Sequence, residues 1–405
     1  MTSEPTSAFV WIWLPEAGEP VVCGRLDQDR GRTSFAYARS YLDRPDAVSI
    51  YEPELPLRTG RQYAAAGEGL PLCIADTMPD AWGRRLVNHR LGAPTAELRE
   101  LTYLLESGSD RFGALDAQVG AERYEQRGQK RPTLDVLATA AERIEAGEPL
   151  GAELEAAVLR GTSIGGARPK ALVDDGERRL IAKFSSNTDP YPVVQGEFVA
   201  MELARRVGLD VARVLLTRAA GRYALLVERF DRVADRRRRA VSALTILRLD
   251  AFPGGRYATY VGLADEIRAQ FVRPDATLRE LFARISFNIL CGNTDDHARN
   301  HAALIEANGL VLSPAYDLCP QGRLGETAAQ AMAFTRDGGR DARLALLVEA
   351  ATEYHLDEVE ARAIVDRQAT VIREQWNEVC DLAELTEPQR DAFFGRQFLN
   401  PHAFV

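Results

Sequence analysis

The polar stretch Asn293-Thr294-Asp295-Asp296-His297-Ala298-Arg299-Asn300 is bounded on both sides in a way that constrains the fold. Upstream, residues 278–290 carry apolar side chains at Leu281, Ile285, Ile289 and at Phe282, Leu290, which is helical spacing. The helix is predicted to end near Gly292, where the polar stretch begins. Downstream, the apolar runs 302–305 and 310–312 flank Asn308-Gly309, a strong hairpin-turn signal. Asp317 follows just after the second run. Asp295, Asp296 and Asn300 are equally suited to capping helices and turns, so the loop alone leaves that reading open.

Short strands are predicted at 9–14, 21–26, 33–41 and 48–51, and helices at 78–86, 95–105 and 134–145. A second mixed segment follows from about 159 to 230, and beyond it the pattern is almost wholly helical apart from the hairpin. At 405 residues the chain can bury a large core and divide into two or three domains. The expected division is 1–110, 111–231 and 232–405. A net charge of −9 gives no basic footprint, so strong nucleic-acid binding by this chain alone is not expected. Arg236-Arg237-Arg238-Arg239 is a local exception, readable as a solvated loop or as a contact for an anionic partner. Five widely spaced cysteines and five histidines show neither CxxC nor HExxH spacing, so no zinc site or disulfide framework is suggested. No signal peptide and no membrane-length apolar run is read, and a reducing cytoplasm fits best.

An aspartate with an asparagine five residues on has the spacing of a kinase catalytic loop. There the Asp takes the proton of the attacking hydroxyl and the Asn holds a metal on the phosphates. A later Asp completes such a site, and Asp317 is placed for that role. The turn from Gly161 to Lys170, containing Ser163, Ile164, Gly165, Gly166 and Ala167, reads either as a phosphate cradle or as an ordinary hairpin turn. Lys183 interrupts an apolar strand, where a charge needs a partner unless it snorkels from a sheet edge. The helix predicted at 194–207 offers Glu197 or Glu202 as that partner, Glu197 being preferred. The strand ending at Val227-Glu228-Arg229-Phe230-Asp231 reads as a hinge. The Glu228 carbonyl and Phe230 amide would meet an adenine edge there. The predicted fold is α+β, protein-kinase-like and two-lobed, with an extra N-terminal β-rich subdomain and a mainly helical C-lobe.

Four motifs together resemble the HipA-type serine/threonine kinases. They are Ser163-Ile164-Gly165-Gly166-Ala167-Arg168-Pro169-Lys170, Val227-Glu228-Arg229-Phe230-Asp231-Arg232, Gly292 through Asn300, and Pro314-Ala315-Tyr316-Asp317-Leu318. Val22-Cys23-Gly24-Arg25-Leu26, Ser34-Phe35-Ala36-Tyr37 and Met78 through Arg84 are similar to that family's N-terminal subdomain. The resemblance implies a kinase dependent on ATP and Mg2+, the toxin of a toxin–antitoxin pair. It also implies a HipB-like helix-turn-helix antitoxin as partner, with DNA contacted only through that antitoxin and no membrane involved. Protein substrates in the family include aminoacyl-tRNA synthetases. By motif, Asp295 matches the catalytic base, Asn300 and Asp317 the metal ligands, Lys183 the phosphate-binding lysine and Ser163 an autophosphorylated serine. Arg168-Pro169-Lys170 departs from the wording of the family's best-known toxin, which bears on substrate and loop regulation more than on fold. A small-molecule kinase of the same fold and an inactive partner-binding co-repressor are the alternative readings.

Overall fold

The structure, a computed structural model, describes residues 4–29, 31–64, 69–93, 97–128, 132–148, 150–151, 154, 168–250, 254–323 and 325–405. The chain divides into two compact units, Met1–Ser186 with Arg218–Val241 and Asn187–Thr217 with Ser242–Val405.

In the first unit, β1 (Ser7–Ile12), β2 (Val21–Asp29), β3 (Arg32–Tyr37), β4 (Gln62–Tyr63) and β5 (Leu115–Gln118) form a sheet in the order β4-β3-β2-β1-β5. All its pairings are antiparallel. Val10, Ile12, Cys23, Leu26 and Phe35 are buried to form its core face. The strand predicted at 33–41 stops at Tyr37, and Arg39–Leu42 make a helical turn instead. The strand predicted at 48–51 does not form. Ile50 and Tyr51 are buried as their apolar character demands, but two phenols replace the strand ladder. The Ile50 N–H donates to the Tyr37 hydroxyl at 2.8 Å, and the Tyr41 hydroxyl donates to the Val48 carbonyl at 2.8 Å.

The same unit holds α1 (Ala81–Arg90), α2 (Glu100–Glu106) and α3 (Leu134–Glu145). Helix α1 starts after Asp80, whose carboxylate accepts from the Gly83 N–H at 3.0 Å, the usual role of an N-cap aspartate. A second sheet holds β6 (Lys170–Asp174), β7 (Arg179–Phe184) and β9 (Arg222–Glu228) in the order β6-β7-β9, while β8 (Val214–Ala219) spans the boundary of the two units. Helix α3 lays Leu137, Ala141 and Ile144 onto this sheet beside Trp82 and Leu86 of α1, against Leu180 and Phe184. Burying each such leucine or phenylalanine contributes about 1.5–3 kcal/mol. The Trp82 indole N–H donates to the Lys170 carbonyl at 3.1 Å, tying α1 to the start of β6.

Beyond β9, a short hairpin of β10 (Arg232–Val233) and β11 (Arg236–Arg237) carries the arginine run. That run is engaged within its own unit. Arg237 lies 3.4 Å over the Trp13 ring and donates to the Ser109 carbonyl at 2.9 Å. Arg239 donates to the Ser49 carbonyl at 2.9 Å, and Arg236 pairs with Glu16.

The second unit is built on α4 (Val193–Arg206), α5 (Tyr260–Gln270), α6 (Pro274–Cys291), α7 (Glu358–Leu382) and α8 (Glu387–Phe393). Proline at the first turn of α6 pre-sets the helical backbone. Every residue of α6 from Arg284 onward is buried. Helix α7 is opened by a capping box between Asp357 and Glu360, and it packs on both α4 and α6. Strands β13 (Ala302–Glu306) and β14 (Gly309–Leu312) form an antiparallel hairpin, while β12 (Ala240–Ser242) spans the boundary of the two units. The β13–β14 turn is Ala307-Asn308, one residue earlier than the Asn-Gly signal, because Gly309 already pairs with Glu306. A Cβ on Gly309 would lie 2.8 Å from the Gln270 carbonyl oxygen, so close backbone approach accounts for that glycine. Contrary to the helical expectation, much of 313–343 is irregular, held by bridges such as Ala329 to Asp341 and Thr259 to Ala333. No described helix is long and apolar enough to cross a membrane.

Candidate active site

The catalytic-type loop begins where α6 is forced to stop. Gly292 has φ +71°, and a Cβ there would sit 2.7 Å from the Gln397 carbonyl oxygen. Only glycine meets both conditions without strain. The Asn293 N–H closes the helix end on the Asn288 carbonyl at 2.9 Å, and the Asn300 N–H closes a single turn on the His297 carbonyl at 2.8 Å.

Between these turns the adjacent aspartates take opposite sides. Asp296 is 1 % exposed. One of its carboxylate oxygens accepts from Asn288 Nδ2 at 2.8 Å and from the Tyr260 hydroxyl, and lies 2.8 Å from His301 Nε2. Burial, followed by the Asp296 charge, pushes the Tyr260 phenol well above its usual range, so it stays a donor. Asn293 Nδ2 donates to Asn288 Oδ1 at 2.9 Å, extending the network to the start of the loop. Asp296 therefore locks the inner side of the loop to α5 and α6. Asp295 faces outward and is exposed. Loss of solvent around its carboxyl raises its pKa; His297 opposes this, and the negative charges of Asp317 and Asp296 add to it.

Asn300 is buried, and its Nδ2 donates to Asp317 Oδ2 at 3.2 Å. Asp317 has φ +61°, a left-handed backbone that Asp tolerates better than most residues. Its approach is fixed from both directions. The Tyr316 hydroxyl donates to the Arg299 carbonyl at 2.7 Å, and Ala315 exchanges backbone bonds with Ala212 and Asp210. Buried Arg284 of α6 adds bonds to the Ser313 and Asp210 carbonyls at 2.9 and 3.2 Å.

The donor set of Asn300 and Asp317, one amide and one carboxylate, fits a hard divalent cation that shares its coordination with phosphate oxygens. Among the described residues no cluster of three or more His, Cys, Asp or Glu could hold a metal unaided.

Lys170, Lys183, Glu228 and Phe230 lie in the first unit. Lys170 and Lys183 face each other across β6 and β7, an unfavourable pairing of like charges. Lys170 is buried, with its ammonium 3.2 Å from Asp80. Lys183 is half-buried. Glu228 ends β9 opposite Leu180, and Phe230 packs edge-on against Phe112 at 6.2 Å. Glu197 is buried in α4 of the second unit. Ser163, Ile164, Gly165, Gly166 and Ala167 lie outside the described residues.

The motif around Phe230 also carries a buried ion network that the sequence reading missed. Arg229 grips Asp231 with two bonds of 2.9 and 2.8 Å and reaches Asp110 at 2.9 Å. Arg232 reaches the same two carboxylates at 2.9 and 2.7 Å. Burial works to raise the Asp110 pKa, but Arg229, Arg232 and Arg237 hold it well below the usual carboxylate range. Asp110 lies more than a hundred residues before its partners, so no local pattern could have signalled it.

Residues 162–376 match the family described as HipA-like C-terminal domain. This chain belongs to the HipA family. Residues 17–118 match the HipA N-terminal domain as well. The inferred kinase Y4mE of Sinorhizobium fredii is 28% identical over 339 residues, covering 73% of this chain and 74% of that one. The serine/threonine-protein kinase toxin HipA of Shewanella oneidensis is 29% identical over 148 residues, covering 31% and 34%. A solved complex of Shewanella oneidensis HipA, HipB and operator DNA contains a chain that aligns with a TM-score of 0.71 at 20% identity, covering 95% of this chain and 93% of that one. The HipA-family chain thus has an α+β, kinase-like fold.

Proposed function

We propose that this HipA-family protein is a serine/threonine protein kinase using ATP and Mg2+. The observation that carries the proposal is the Asn300–Asp317 contact of 3.2 Å beside an outward-facing Asp295 on one anchored loop. Asp295 accepts the proton of the attacking hydroxyl, and its raised pKa strengthens it as a base. Asn300 and Asp317 would hold magnesium, which when bound offsets charge on the nucleotide phosphates. Lys183, paired with Glu197, binds phosphate, and Lys170 stands at the base of the glycine-rich turn. The Glu228 carbonyl and Phe230 amide receive the adenine. Residues 1–110, 111–231 and 232–405 serve as N-terminal subdomain, N-lobe and C-lobe.

The protein acts in the cytoplasm as the toxin of a toxin–antitoxin pair. A HipB-like helix-turn-helix antitoxin binds it and supplies the DNA contact. Support for that partner is the alignment with a chain solved together with HipB and operator DNA. Its target is a translation component such as an aminoacyl-tRNA synthetase, and it modifies its own Ser163. A phosphate there adds nearly two negative charges beside the nucleotide phosphates and expels the loop.

Incubation with MgATP, followed by ADP measurement and peptide mass spectrometry, tests the activity and the modified serine together. Turnover is expected in the parent and lost in Asp295→Ala and Asp317→Asn, with phosphate on Ser163. Equal turnover in both variants would refute the kinase reading; phosphate only elsewhere would refute the role of Ser163.

A further inference from the structure

Two backbone bonds hold the segment 321–331 against the catalytic-type loop. The Gln321 N–H donates to the Gly292 carbonyl at 2.9 Å, and the Ala331 N–H donates to the Thr294 carbonyl at 3.0 Å. Tyr191 braces the entry to this segment. Its hydroxyl donates to the Pro320 carbonyl at 2.9 Å, and its ring would lie 3.2 Å from a Cβ on Gly322. Arg323 stands between the two bonds, six residues after Asp317.

The Arg323 guanidinium is short of acceptors. Nη1 makes one long contact of 3.4 Å with the Glu326 carbonyl. Nε and Nη2 are buried and find no hydrogen-bond partner among the described residues. Loss of solvent lowers its pKa, and among the described residues no carboxylate acts in the other direction. The segment contains a second such group. Gln330 is 1 % exposed, and both its side-chain amide atoms are buried without partners among the described residues. Among the described residues the buried guanidiniums have carboxylates: Arg111 has Asp116 at 2.7 Å, Arg229 has Asp231 at 2.8 Å and Arg284 has Glu280 at 2.8 Å.

A desolvated cation without an anion is costly, and buried polar groups left unsatisfied commonly mark an absent ion or ligand. The planar fork of arginine matches a phosphate group better than a single carbonyl. We propose that Arg323 is a phosphate-binding residue of the candidate active site. The phosphate is carried by the nucleotide terminus or by a phosphorylated serine. The nucleotide source rests on the kinase reading above; the phosphate chemistry of Arg323 does not.

Calorimetric titrations of the full-length protein in an Asp295→Ala background, where no transfer occurs, test the assignment. The ligands are ATP, AMP and a peptide of residues 158–168 with Ser163 phosphorylated or not. In Arg323→Gln the affinity for ATP, for the phosphopeptide or for both is expected to fall at least tenfold. AMP and the unmodified peptide should bind as before. A loss confined to ATP assigns the nucleotide phosphate, and a loss confined to the phosphopeptide assigns phosphoserine. Equal affinity in the parent and Arg323→Gln for both phosphate-bearing ligands overturns the proposal, as does failure of both to bind the parent. Thermal melts check folding. If Arg323→Gln does not fold, Arg323→Lys, which keeps the charge but loses the fork, takes its place with the same criterion. ATP turnover surviving Asp295→Ala alone would bring down the kinase reading and leave this binding assignment to its own result.

Discussion

Asp295 and Asp296 are chemically identical neighbours with opposite fates. Asp296 is enclosed by Tyr260, Asn288 and His301, whereas Asp295 is left at the surface with a raised pKa. The sign of its effect on stability follows. A carboxyl whose folded pKa lies above its unfolded value is favoured by folding in its protonated form. That contribution is complete below the ordinary carboxylate value of about 3.9 and is lost as pH rises through the higher folded value. At neutral pH Asp295 is therefore a net liability to the fold. Asp295→Asn should leave the melting temperature equal or higher at pH 7 while lowering turnover about 10²–10⁴-fold. A clear drop in melting temperature would contradict this account. The five-residue spacing from Asp295 to Asn300 was legible in the sequence, because it depends on backbone reach alone. The division of labour between the two aspartates was not, since it is set by Tyr260 from another helix. Arg323 was equally silent, because a missing partner has no sequence pattern.

Among the elements, α6 and its stop decide where the loop starts. The apolar spacing at Leu281, Ile285 and Ile289 revealed the helix, and Gly292 revealed its end. The sequence did not reveal why alanine would fail there: the obstacle is the Gln397 carbonyl, brought in from more than a hundred residues away. Gly292→Ala should cost about 1–3 kcal/mol, the range for a strained left-handed backbone. Urea unfolding measures this, and a cost near zero would mean the loop start has freedom that its contacts deny. Residues 48–51 teach the complementary lesson. Their apolar character correctly implied burial, but Tyr37 and Tyr41 satisfied the backbone that a neighbouring strand was expected to satisfy. Periodicity reports burial well and hydrogen-bond partner poorly, which is why 33–41 and 313–343 were also misjudged.

For the whole molecule, charge speaks against strong binding of duplex DNA by this chain alone. The net charge is −9, and the arginine run 236–239 is engaged with Trp13, Ser49, Ser109 and Glu16. The isolated protein should not retard duplex DNA at about 0.15 M salt, where binding depends on many released counterions. A gel shift by the protein alone under those conditions would refute this, while retardation only after adding a helix-turn-helix partner would support it. The motifs at 227–232, 292–300 and 314–318 were legible because each is local in the sequence. The long-range ion network between Asp110, Arg229, Asp231 and Arg232 was not. Its consequence concerns what can be cut apart. The two family matches, 17–118 and 162–376, invite expression of the second half by itself. That fragment would inherit Arg229 and Arg232 but lose Asp110, and Asp231 would also lose the Gly113 N–H that donates to it at 2.7 Å. Removing one partner from a buried ion pair costs about 3–5 kcal/mol. A fragment of 162–376 should therefore be less stable than the full chain, because 17–118 supplies partners to the buried network around Arg229 and Asp231.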